Sequence, residues 1–218
     1  MSRIEDPKPT GGGPYTDYVW PVVATFPIET VAARTARAFA DVFEGRRSAR
    51  ELNAAPRDHI LSALLYATAP RFWKDGDVLR RSLRPALSCG ALHPISILMF
   101  ADVAVFRVNA DACALEQIAF PEDVRVAWLS RCAELLPNAN GVFLVLVADM
   151  ARPRAAYDHS ESLPWRDAGA LLQTLAYSAE VFELGFCPMG IVGNEVVAAL
   201  PANGQLIAVG GAAIGLRE

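Results

Sequence analysis

Three arginines and a serine fall within five residues, Arg46-Arg47-Ser48-Ala49-Arg50. A guanidinium holds its donors in a fixed fork and stays charged, which suits it to phosphates and planar oxyanions. In an extended backbone Arg46, Ser48 and Arg50 project from one face and Arg47 from the other. That face flanks a hydroxyl with two cations, enough to hold one anionic ligand rich in acceptors. A solvated basic turn is the plainer reading of so short a stretch, so the rest of the chain must decide between them.

A second stretch, Ser88-Cys89-Gly90-Ala91-Leu92-His93-Pro94, is built of small residues that let a backbone approach a ligand closely. Pro94 fixes the entry into the strand that follows. Alone, such a stretch is also what a plain loop-to-strand junction looks like. The familiar fingerprints are absent: no GxGxxG after a strand, no P-loop, no HExxH and no GxSxG. The glycine-rich segment from Gly210 to Gly215 opens no helix and reads as a strand end with close backbone packing.

These stretches need elements to position them. Residues 1–27 are rich in Pro and Gly, lack periodicity and read as an extended arm, ordered where aromatics dock; residues 28–218 read as one domain. Thr30 can cap a helix reaching Phe43, with Val31, Thr35, Ala38, Phe39 and Val42 at helical spacing and Gly45 placed to end it. Pro56 suits the start of a second helix that stops before Pro70. Residues 71–93 form a long basic loop. Strands are expected over 95–100 and 103–108, joined by a tight Ala101-Asp102 turn. A third helix runs 122–136, and a central strand 141–147. A polar loop spans 150–165, and a long helix follows to Leu184, its Leu171, Leu172, Leu175, Ala179 and Phe182 lining one face. A short helix over 194–200 and a last strand over 205–209 complete the chain. This mixed order suits an α+β domain better than a βαβ series.

Composition narrows the function. The 218 residues are 53% hydrophobic, enough for a large core and for a buried subunit interface as well. Twenty basic against 24 acidic residues, a net charge of −4, argue against a nucleic-acid binder. The four cysteines lack metal spacing and are expected to be reduced in a cytoplasmic protein. No metal site is expected. The chain starts without an apolar run, so no signal peptide is expected. Its longest apolar run, Val142 to Ala148, is too short to span a bilayer.

Taken in order, the motifs carry a resemblance. Arg-Arg-Ser-x-Arg comes first, then Ser-x-Gly-Ala-Leu-His-Pro before a strand. Asp167-Ala168-Gly169 opens a long helix that runs into Leu184-Gly185-Phe186-Cys187-Pro188-Met189-Gly190. This set resembles the nitroreductase family of FMN-dependent oxidoreductases, nearest the azoline dehydrogenase branch. The resemblance implies an α/β sandwich with a mainly antiparallel central sheet flanked by helices. It also implies a homodimer with FMN at the subunit interface, electrons from NAD(P)H, and a nitroaromatic or quinone-like acceptor. A flavin-binding accessory subunit, or an azoline dehydrogenase of a peptide-modifying complex, is the alternative. By resemblance, Arg46 and Ser48 would contact the phosphate or ribityl chain and Arg50 the N1/O2 edge of the ring, with Arg47 also among the cofactor-binding residues. Ser88, Cys89, Gly90, Ala91 and Leu92 would run along the flavin, partly from the other subunit. Pro188, Met189 and Gly190 would pack near N5, and Arg217 would complete the phosphate site. Tyr157 and His159 are the candidates for catalytic contacts with substrate. Ala91 stands where many members have Asn, and Ala156 where the azoline branch has Lys before its Tyr.

Overall fold

The computed structural model describes residues 4–32, 38–101 and 103–217. In chain order the elements are β1 (Lys8–Pro9), β2 (Val22–Pro27), α1 (Phe39–Gly45), β3 (Leu52–Asn53), α2 (Arg57–Thr68), β4 (Phe72–Trp73) and β5 (Ser82–Leu83). Then come β6 (Ile95–Phe100), β7 (Val105–Asn109), β8 (Ala114–Ile118), α3 (Glu122–Leu135), β9 (Val142–Asp149), α4 (Ala151–Ala156) and β10 (Tyr157–Asp158). Finally there are α5 (Leu163–Val181), β11 (Leu184–Met189), α6 (Asn194–Ala198) and β12 (Leu206–Arg217).

The main sheet runs β11-β12-β9-β6-β7-β8-β2, with every neighbouring pair antiparallel. β9 is central because both its faces are apolar. Leu144, Leu146 and Ala148 face α2 and α5, whereas Phe143, Val145 and Val147 face α3 and α6. The alternation is the period-two projection of a strand, here buried on both sides. α5 lays Ala168, Leu171, Leu175, Ala179 and Phe182 on one layer, at the spacing of a single helical face. Fully buried Trp128 on α3 anchors the other, against Phe100. Helices thus cover both faces of an antiparallel sheet, the α+β sandwich that the resemblance implied.

Several boundaries differ from the sequence reading. β12 does not stop at Val209 but runs through the glycines to Arg217, pairing with β9 on one side and β11 on the other. The stretch 184–189, read only as the end of a helix, is an edge strand. β8 was missed altogether. The 150–165 segment holds α4 and a 3-10 turn rather than an open loop. β7 begins at Val105, and Asp102 of the expected turn lies outside the described residues. The helix expected from Thr30 begins at Phe39; residues 33–37 also lie outside the described residues. The N-terminal segment is extended, and its β2 pairs with β8 at the edge of the main sheet. No helix among the described residues is long and apolar enough to cross a membrane.

Candidate functional site

The Arg46–Arg50 segment leaves α1 and lies along β11. Ser48 bridges to Phe186, and the Ala49 N–H donates to the Phe186 carbonyl at 3.0 Å. The approach depends on Gly185, where a Cβ would come within 2.5 Å of Leu52 and 2.9 Å of Ala49. Leu52 and Asn53 then pair with Arg217 and Leu216 of β12. Gly215 makes room for this crossing, since a Cβ there would sit 2.5 Å from the Asn53 carbonyl.

Within this segment the arginines divide. Arg47 folds back and donates to the carbonyls of Glu44 and Arg46, at 2.5 and 2.9 Å, satisfying the open end of α1. Half-buried Arg46 and exposed Ser48 and Arg50 make no side-chain hydrogen bond or ion pair among the described residues. Arg50 lies close enough to Cys187 to draw its thiol pKa down, against the larger upward push of burial. Pro188 and Gly190 are exposed next along the chain, and a Cβ on Gly190 would meet nothing within 4 Å. Arg217 reaches this end already paired with the buried carboxylate of Glu180 on α5.

The second group gathers around the start of α5. Buried Asp167 accepts from the Ser88 hydroxyl at 2.6 Å and from the Cys89 N–H at 2.8 Å. The His93 N–H donates to the Ser88 hydroxyl oxygen at 2.9 Å, closing the loop on itself. Burial, followed by the nearby Asp167, pushes the Cys89 thiol up to about 11, so it is a neutral thiol here rather than a nucleophile. Gly90 and Ala91 take positive φ, 63° and 55°. The Tyr157 hydroxyl packs so closely on Gly90 that a Cβ there would lie 2.5 Å from it. Leu92 is buried with Leu79 and Ala156. His159 turns instead to the N-terminal segment and pairs with Glu5 at 3.0 Å.

The predicted residues therefore form two groups. Ser88 is bonded at Asp167 and Arg217 at Glu180, about 20 Å apart along the same helix at 1.5 Å per residue. Sequence reasoning missed Asp167 as the loop's anchor. It was visible as the start of a helix motif, but nothing ties it to Ser88, 79 residues away, until the chain folds.

Among solved structures, a candidate nitroreductase of Ralstonia eutropha JMP134 superposes with a TM-score of 0.65, over 98% of this chain and 99% of that one, at 15% identity. The fold is nitroreductase-like. A candidate nitroreductase of Anabaena variabilis ATCC 29413 gives the same TM-score of 0.65 at 18% identity, over 89% of this chain but 42% of that one. This chain thus spans less than half the length of the Anabaena protein. A solved oxidoreductase containing FMN shares the nitroreductase-like fold with a TM-score of 0.53 and 17% identity, over 87% of this chain and 83% of that one. No protein-family model and no curated protein matches the chain by sequence.

Proposed function

We propose that the chain is an FMN-dependent oxidoreductase that works as a homodimer, taking hydride from NAD(P)H and passing electrons to a small nitroaromatic or quinone-like acceptor. One observation carries the reading: the Ser48–Phe186 bridge sets a hydroxyl and two guanidiniums, unpaired among the described residues, beside the exposed Pro188 and Gly190. A phosphomonoester with about two negative charges fits that donor set. Arg46 and Ser48 would hold the phosphate and ribityl oxygens, with Arg217 nearby. Arg50 would fix a cation beside the ring edge, where charge builds on reduction. Met189 and Gly190 would offer backbone N–H groups to the ring. When bound, FMN supplies the hydride and electron chemistry; the protein supplies binding, orientation and electrostatics.

The anchors of the two groups lie about 20 Å apart along α5, a separation that fits a flavin contacted by both chains of a dimer. Phe39 and Phe43 on α1, 71% and 56% exposed, stack with Tyr177 beside the arginine segment and form an apolar face suited to a second copy. Simple acceptors are favoured over peptide azolines. Removing a proton next to the oxidised C–H bond calls for a positioned base. Ala156 offers none, and His159 is engaged with Glu5. Tyr157, on β10 against Gly90 of the Ser88 loop, is left to contact substrate.

The test is anaerobic mixing of the flavin-loaded protein with NADH and with NADPH, followed by turnover with a quinone and a thiazoline peptide. Bleaching of the flavin and quinone turnover are expected. Bound flavin that neither nucleotide reduces would leave an accessory subunit instead.

A further inference from the structure

Away from the Arg46–Arg50 segment, a cavity of about 400 Å³ opens where β6 begins and β7 ends. Arg80, Arg84 and Arg152 converge on it, with Trp20 and His93 in its wall. The Arg84 side chain is only 9% exposed; it donates to the Ser82 hydroxyl, the Thr68 carbonyl and Asp111 at 2.9, 3.1 and 2.6 Å. Arg152, 10% exposed at its side chain, donates twice to Asp17 and once to the Leu92 carbonyl. Each guanidinium carries five N–H donors, so two on each are unspent. The Arg80 side chain stacks on Trp73 and makes no hydrogen bond or ion pair among the described residues. The two enclosed guanidiniums each face the cavity with one carboxylate partner, and the exposed Arg80 adds a third cation at its edge. Burial, then the charges of Arg152 and Arg80, weaken the Arg84 cation against the pull of Asp111. The acids on the wall are already engaged. Asp17 holds Arg152, Asp111 holds Arg84, and Asp149 accepts from the backbone N–H groups of Tyr18 and Ala151.

We propose that this cavity is a second ligand site, taking a compact multivalent oxyanion whose phosphate or carboxylate oxygens bridge Arg80, Arg84 and Arg152. The proposal stands independently of flavin binding. Arg152 grips the carbonyl of Leu92, and His93 reaches from the Ser88 loop to the Ser82 carbonyl, so the occupant would rest against the back of that loop.

Calorimetric titration of the whole protein with inorganic pyrophosphate, and separately with citrate, tests it, with Trp fluorescence as a second readout because Trp20 and Trp73 lie at the site. The expected result is saturable binding of at least one probe, one per chain, weakened by added salt. Arg80→Gln, at an exposed position, should weaken that binding about tenfold or more. Asp111→Asn should tighten it severalfold by freeing Arg84. Arg46→Gln should leave it unchanged. Preference for pyrophosphate would mark a phosphate ligand, and preference for citrate a carboxylate; either supports the site. Failure of both probes to bind at millimolar concentration would overturn it. So would equal affinity in wild type, Arg80→Gln and Asp111→Asn, or loss of binding in Arg46→Gln.

Discussion

The Ser88 hydroxyl donates to Asp167 at 2.6 Å while its oxygen accepts from the His93 N–H, so one buried carboxylate on α5 sets the shape of the whole 88–93 loop. Asp167→Ala would leave the Ser88 hydroxyl and the Cys89 N–H without their acceptor. A loss of roughly 2–4 kcal/mol in urea unfolding is expected. Asp167→Asn, which keeps one acceptor oxygen, should lose less. An Ala variant as stable as wild type would show that the loop holds its shape without Asp167.

Gly90 and Tyr157 make a second testable pair. Gly90→Ala pays for a positive φ, about 1–2 kcal/mol, and drives a methyl group into the Tyr157 hydroxyl. Tyr157→Phe removes that oxygen. In a double-mutant cycle the Phe change should recover part of the Ala loss, leaving the conformational part. Strict additivity would show that the hydroxyl is not the obstacle.

His93 gives a pH signature. Burial first, then the neighbouring Arg84 cation, hold its pKa down at about 4 against a usual 6.5. The folded state therefore disfavours the proton that the unfolded chain accepts. The neutral form's contribution is complete above about 6.5 and is lost as pH falls from there towards 4. Stability measured across that window should fall more steeply in wild type than in His93→Asn, a residue that tolerates the 46° φ at this position. Identical slopes would mean that His93 titrates normally.

The arginine segment predicts a division of labour. Arg46→Ala should weaken FMN binding about ten- to a hundredfold, the cost of a charge-assisted hydrogen bond. Arg50→Ala should chiefly slow flavin reduction. Equal losses of affinity in both, with reduction unchanged, would remove the distinction.

Periodic elements were legible in the sequence. α2, α5, β6 and β9 stand within a few residues of their expected bounds because apolar residues recur at the period of each element; α3 does so because Pro137 closes it, its inner face being interrupted by buried Arg125. What was lost is instructive. β11 contains Gly185 and Pro188, punctuation that reads as a turn, yet Gly185 is there so that the arginine segment can lie across the strand. Gly211 and Gly215 hid the length of β12 for a similar reason: a Cβ at either would press on neighbouring backbone, the Ile191 carbonyl at 2.8 Å and the Asn53 carbonyl at 2.5 Å. β8, Ala-Leu-Glu-Gln-Ile, has the composition of a helix and is a strand only because β7 and β2 flank it. The arginine segment was visible by composition alone. The second cavity was not, because Arg84 and Arg152 come from segments far apart in the chain.

The most direct test is the flavin content of the purified protein after denaturation. The account predicts a yellow protein that releases FMN and not FAD, near one per chain, from a species that light scattering finds to be a dimer. A colourless protein that also fails to take up added FMN would contradict it.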